Sequence, residues 1–165
     1  KPGVVGAVRD SYQCHAELIC DGVHIHPSVI RATFAMLGAG RIILISDSMR
    51  ATGMPDGQYT LGGLDVKVRG NRATLVSDGA LAGSVTNLAD CMRTANLMDC
   101  LRYVVKKAGI SLETAVMCAT ENPAKEIGIY DKVGSISVGK QADFVLIDEE
   151  LNIKRVYIDG KEIIC

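Results

Sequence analysis

The run Arg41-Ile42-Ile43-Leu44-Ile45 is apolar at consecutive positions and ends on Ser46-Asp47-Ser48-Met49-Arg50. Branched residues without alternation suit a strand covered on both faces, the habit of a parallel sheet, and that constraint demands further layers on either side. In α/β proteins chemistry gathers where such strands end. A carboxylate placed directly after a buried run must be hydrogen-bonded, metal-bound or functional. Asp47 is therefore the residue to explain, with helix or turn capping as the plain alternative.

The same pattern occurs upstream. Ala16-Glu17-Leu18-Ile19-Cys20 is a short strand candidate that ends on Asp21-Gly22-Val23-His24-Ile25-His26-Pro27. Between the two runs, Ser28 can cap a helix whose apolar positions Val29, Ile30, Thr33, Phe34 and Leu37 follow helical spacing, and Gly38 and Gly40 close it. Strand, helix, strand predicts a βαβ unit with right-handed crossover.

From Gly57 to Val76 the apolar period drops to two, which predicts a β-hairpin around Gly70-Asn71. The stretch from Ser77 to Ser84 reads as a loop leading into a helix from about Asn87 to Lys107. Ser111 opens a second helix to about Thr120, and Asn122-Pro123 begins a short third one. Beyond Tyr130 the texture is all-β: Gly134-Ser135-Ile136, Gly139-Lys140, Ala142 to Asp148, and Ile153 to Ile164 read as short strands, with an Asp159-Gly160 turn in a terminal hairpin. The expected division is an α/β part over 1–130 and a small β module over 131–165.

Composition excludes several classes. A chain of 165 residues that is 48% hydrophobic can bury a core of one or two domains. Its net charge is -1 and its Lys and Arg are scattered, so nothing draws it to nucleic acid or to an anionic membrane. No apolar stretch approaches the roughly 20 residues that span a bilayer, and a cytoplasmic protein is expected. Cys14, Cys20, Cys91, Cys100, Cys118 and Cys165 form no CxxC pair and read as reduced thiols, several of them in apolar runs. The opening Lys1-Pro2-Gly3-Val4-Val5-Gly6 lacks methionine and reads as a link inside a longer protein.

Taken together, Pro2-Gly3-Val4-Val5-Gly6, Glu17 to His24, Ser46-Asp47-Ser48-Met49, Leu81-Ala82-Gly83-Ser84 and Asn122-Pro123-Ala124-Lys125 resemble the C-terminal part of the N-acetylglucosamine-6-phosphate deacetylases. The closing stretch from Gly134 to Val145 is common to the wider amidohydrolase superfamily. The resemblance covers essentially the whole chain, but members of the family are more than twice as long. It implies the last strands and helices of a (β/α)8, or TIM, barrel over 1–130, with a β-hairpin insertion near 57–76. Residues 131–165 would then form part of a small β-sandwich.

The resemblance also implies roles. Asp47 would close the final barrel strand and act as the general base that later protonates the leaving amine. Asp21, Gly22, Val23 and His24 would form a wall of the sugar pocket, with His24 hydrogen-bonded to the sugar. Leu81, Ala82 and Gly83 would approach the ligand with their backbone, where small residues permit close contact. A divalent metal such as zinc, iron or cobalt is implied for the full-length enzyme, with no metal ligand in this chain and the ligands upstream. The implied partners are an amino-sugar phosphate and a second copy in a homodimer.

Other readings of these residues stay open. His24 and His26 form an HxH that could suggest zinc, yet Pro27 and the register of the resemblance argue against it. Cys91 and Cys100, nine apart, fall on different rows of a helix. His15 reads as a surface or edge residue, Arg50 as solvated or packing, and Met92 and Met98 as core filler. A cyclic amide hydrolase of the same superfamily and a non-catalytic oligomerisation module are the alternative functions.

Overall fold

A computed structural model describes residues 1–52, 54–70, 72–84 and 97–163. The architecture is α/β. Its centre is a parallel pair, β1 (Ala16–Ile19) and β2 (Ile42–Ile45), joined by helix α2 (Pro27–Leu37) and a 3₁₀ turn at Ala39–Arg41. Register runs from Ala16 opposite Ile42 to Ile19 opposite Ile45. Ile42, Ile43 and Leu44 are all buried, as an unalternating run requires.

Helix α2 buries Ile30, Phe34 and Leu37 on one stripe against this pair. Its N-cap is His26 rather than Ser28. The Ser28 N–H donates to His26 Nδ1 at 3.3 Å, and Pro27 takes the first helical position, where its missing N–H costs nothing. Val29, expected on the core face, is exposed.

Helices α3 (Leu97–Lys106), α4 (Leu112–Ala119) and α5 (Glu121–Glu126) follow, and α3 and α4 join α2 on the face of the pair to which the alternate residues Leu18, Ile42 and Leu44 point. Cys100, Leu101, Val104, Ala115 and Cys118 enter the same core as Ile30 and Leu44, and Met98 packs against it. Burial pushes the Cys100 and Cys118 thiols up to about 11 and Cys20 to about 12, so they pack as neutral, unreactive groups. The start expected for α3, with Cys91 and Met92, lies outside the described residues. Ser111 caps α4 through its hydroxyl, which accepts from the Thr114 N–H at 3.3 Å.

Two polar side chains hold the beginning of β2. Asn122 is the buried polar residue among the described ones, and its Nδ2 donates to the Ala39 carbonyl at 2.8 Å and the Ile42 carbonyl at 2.7 Å. Arg41, expected within the strand, sits instead in the turn before it. Its guanidinium donates to the carbonyls of Val8, Arg9, Ser11 and Cys14. Val8 and Arg9 lie in the last turn of helix α1 (Gly3–Asp10) and Ser11 and Cys14 follow it; the helix forms where the Pro-Gly opening suggests a link. Its eight residues bury no side chain, so the arginine at its C-terminal end does the fixing.

Past β2 the chain enters a second, smaller core. Strands β3 (Gly57–Leu61), β4 (Leu64–Arg69), β5 (Arg72–Leu75) and β6 (Leu81–Ser84) form one antiparallel sheet in sequence order. The expected hairpin is the β4–β5 pair; a second tight turn at Gly62-Gly63 adds β3. The expected loop over 77–84 is also corrected, since 81–84 pairs with β5 across an irregular register. Its small, weakly β-prone residues carry little strand signal. Met49 and Ala51, just after β2, are buried with Val66, Val68, Ala73 and Ala82 and so tie this sheet to the end of β2.

The third sheet is β7 (Phe144–Ile147), β8 (Ile153–Ile158) and β9 (Lys161–Ile163). The Phe144 and Tyr157 rings stack with centroids 4.5 Å apart. Leu151 is buried in the first core, and its carbonyl accepts from Arg102 Nε at 2.8 Å. Gly134-Ser135-Ile136 and Gly139-Lys140 are turns and bends rather than strands, with Ile136 and Val138 fully out in solvent. Among the described residues no helix is long and apolar enough to cross a membrane.

Replacing Asn122 by Ala would leave the Ala39 and Ile42 carbonyls without that donor in a closed core. The expected cost is about 2–3 kcal/mol, the usual penalty for stranded buried acceptors. Denaturant midpoints should fall accordingly, whereas Glu121→Ala, which removes only a surface ion pair with Lys125 in the same helix, should shift them by under about 1 kcal/mol.

Candidate functional site

The parallel register decides what meets at the end of the pair. Asp21 and Asp47 each lie two residues beyond the last paired positions, Ile19 and Ile45, and so emerge at the same edge of the sheet. Residues 16–21 and 42–47 thus each carry an aspartate beyond the same end of the pair, as the repeated run-then-aspartate pattern suggests.

Their surroundings differ sharply. Asp21 is enclosed by its own turn. Its Oδ1 accepts the Val23 N–H at 2.9 Å and the His24 N–H at 3.0 Å, while its Oδ2 lies 2.9 Å from His24 Nδ1. Burial pushes the Asp21 carboxyl up, but the two N–H groups and the His24 ring outweigh it and hold the pKa below the usual carboxylate value. The side chains of His24 and Asp21 are 17% and 11% exposed, which leaves a small opening beside the ring. Gly22 has φ +81°, and a Cβ built there would stand 2.7 Å from Tyr103 Cε2. Only glycine fits between turn and ring. Tyr103 comes from α3, far along the chain, and no local signal announces it.

Asp47 is exposed and has φ +47°, a left-handed conformation that few residues other than glycine adopt. Among the described residues no hydrogen bond or ion pair engages its carboxylate. Capping is therefore not its role: the turns that follow close through backbone bonds, Thr52 N–H to Met49 and Met54 N–H to Ala51. The buried Met49 two residues on anchors the chain after this left-handed turn.

Strand β6 brings in the third motif. A Cβ built on Gly83 would lie 3.4 Å from the Asp47 carbonyl, 3.4 Å from Met49 Cβ and 3.8 Å from Asp47 Oδ2. Gly83 also has φ +64°, so a side chain there is disfavoured twice. Ala82 is buried in the second core, and Leu81 is partly exposed. Val23 is half-buried within the Asp21 turn.

The remaining candidates fall elsewhere. His26 Nδ1 lies 2.7 Å from Ser28 Oγ and caps α2, so the HxH is divided between a cap and a carboxylate. His15, at the opposite end of β1, faces Glu126 with Nδ1 2.6 Å from Oε2. Arg50 is exposed and lines a shallow cleft with Gln58, Tyr59, Thr60 and Asp65. Among the described residues no three His, Cys, Asp or Glu gather as a metal site.

Comparison with known proteins gives this arrangement its context. The family model described as Amidohydrolase family matches residues 16–163. The N-acetylglucosamine-6-phosphate deacetylase of Bacillus subtilis is 38% identical over 93% of this chain, which spans 36% of that protein. A protein of Escherichia coli K12 named as a putative N-acetylgalactosamine-6-phosphate deacetylase is 35% identical, with 98% of this chain and 90% of that one covered. Among solved structures, a mutant N-acetyl-D-glucosamine-6-phosphate deacetylase from Mycobacterium smegmatis, in complex with N-acetyl-D-glucosamine-6-phosphate, superposes with a TM-score of 0.83. It is 32% identical and covers 94% of this chain and 39% of its own. The chain thus spans little more than a third of the curated N-acetylglucosamine-6-phosphate deacetylases it matches. By the family match over most of its length and by these relatives, the chain belongs to the amidohydrolase family.

Proposed function

We propose that this chain forms part of an enzyme that hydrolyses the acetamide of N-acetylglucosamine 6-phosphate to glucosamine 6-phosphate and acetate. The observation that carries the reading is the meeting of three separate motifs at one strand end: Asp47, the Asp21 to His24 turn, and Gly83 against Asp47. Relatives that match over most of this chain bear that name, and one of them is described in complex with that sugar phosphate.

In this reaction Asp47 is the general base. Its exposed, unengaged carboxylate accepts a proton from the attacking water as the new C–O bond forms at the acetamide carbonyl. It returns that proton to the amine nitrogen as the C–N bond breaks, so one group serves both transfers on one face. His24 holds the sugar, and the Leu81-Ala82-Gly83 backbone forms the wall beside the acetamide. A divalent metal (zinc, iron, cobalt or similar) does not fit the described residues, among which no three His, Cys, Asp or Glu gather as a set of ligands. Its ligands belong to other parts of the polypeptide, and no step above depends on it.

The same reading assigns residues 1–130 to the last strands and helices of a TIM barrel and 131–165 to part of a β-sandwich, in a cytoplasmic homodimer. Support comes from the parallel β1–β2 pair with its helical crossover. A broad apolar groove also lies between α3, α4 and the third sheet, lined by Leu101, Val116, Phe144, Val145, Ile153 and Val156, as expected of a module completed by other segments. A second substrate, N-acetylgalactosamine 6-phosphate, is favoured by the relative of which this chain covers 90%. Acetate release from each sugar phosphate by the full-length protein separates the two, and turnover of a cyclic amide alone would overturn both.

Asp47→Asn in the full-length protein keeps the shape and removes the proton acceptor, so kcat should fall by roughly 10²–10⁴ with the fold intact. A kcat near wild type would dismiss the general-base role. His24→Ala should raise KM while metal content, measured on the purified protein, stays unchanged. Stoichiometric loss of metal would make the ring a ligand instead.

A further inference from the structure

The two oxygens of Asp21 do different work. Oδ1 takes both backbone N–H groups of the turn, at 2.9 and 3.0 Å, and suffices to hold it. Oδ2 is directed at His24 Nδ1, 2.9 Å away, in a largely closed setting. An ionised carboxylate only accepts, so the ring nitrogen facing it must carry the proton. A neutral imidazole with Nδ1–H has a bare Nε2, the ring nitrogen that Asp21 does not engage and the one left to accept from a ligand.

We propose that Asp21 is a positioning residue that acts through His24, fixing the Nδ1–H tautomer so that Nε2 accepts a hydrogen bond from a hydroxyl of the sugar substrate. This rests on the reading of His24 as the sugar-binding histidine and replaces the direct substrate contact implied for Asp21. Tyr103 behind Gly22 closes the other side of the turn, so the aspartate and ring have little freedom to rearrange. A turn residue alone would need Oδ1 and would leave the ring free to take either tautomer.

Asp21→Asn tests this directly, because it keeps the Oδ1 acceptor for the turn and replaces Oδ2 by an amide that donates. Facing a donor, His24 Nδ1 must become the acceptor, which moves the proton to Nε2 and reverses the group offered to the ligand. ¹⁵N imidazole spectra of the full-length protein, with the His24 signals identified by their loss in His24→Gln, should show Nδ1–H in the wild type and Nε2–H in the variant. KM should rise about 10–100-fold, the size of one hydrogen bond lost at a charged or polar site, with kcat changed little.

A wild-type ring protonated at Nε2 alone would overturn the proposal even if the variant did not fold. So would a variant that keeps Nδ1–H, or one that reverses the tautomer with KM unchanged while His24→Gln raises it. If His24→Gln itself leaves KM unaltered, the sugar-binding role of His24 fails; the spectra then still report whether Asp21 sets the tautomer.

Discussion

The in-register parallel pairing of β1 with β2 is the constraint on which the rest depends. Parallel strands cannot be joined by a tight turn, so α2 must cross over them, and both faces of the pair must be covered. With Ile19 opposite Ile45, the two chains leave the sheet level with each other, and Asp21 and Asp47 share one edge. A slip of one residue would turn each side chain to the other face and separate them. The polar contacts that hold the start of β2, Asn122 to the Ala39 and Ile42 carbonyls and Arg41 to the end of α1, therefore govern the site from the strand's far end.

The elements legible in the sequence are those whose signal is local and strong. The unalternating run before Asp47, the helical spacing of Ile30, Phe34 and Leu37, the Ser111 cap and the Asp159-Gly160 turn all match the structure because periodicity or side-chain chemistry dictates them within a few residues. The position of Asp47 and Asp21 beyond paired strands was legible for the same reason. What escaped was set at long range. Helix α1 fully buries no residue, packs only Val8 against the core and is held by Arg41, some 30 residues later in the chain. Strand β6 is made of small residues and forms by pairing with β5. Tyr103 meets Gly22 only because α3 packs across the β1 end.

The C-terminal stretch makes the same point in reverse. Gly134-Ser135-Ile136 and Gly139-Lys140 include or adjoin the strand-prone Ile136 and Val138, yet among the described residues they find no ladder, and Ile136 and Val138 remain in solvent. Strand propensity reports how well a residue suits a pleated, half-covered surface, and it cannot supply the neighbour. Lys140 instead sets its ammonium 3.4 Å from the Tyr130 ring centroid and donates to the Val133 carbonyl, which closes the segment on itself.

The two aspartates that follow the paired strands have sharply different environments. Asp21 has both oxygens committed, one to its turn and one to His24, so its negative charge is neutralised by donors fixed in place. Asp47 faces outward on a left-handed backbone with Gly83 pressed against its carbonyl, where the carboxylate remains available. In the proposed reaction that division is what the chemistry requires: a proton acceptor must be able to gain and release a proton within one turnover. A group that orients a ring must hold its charge throughout, and the donors around Asp21 secure that while the opening around Asp47 permits the other.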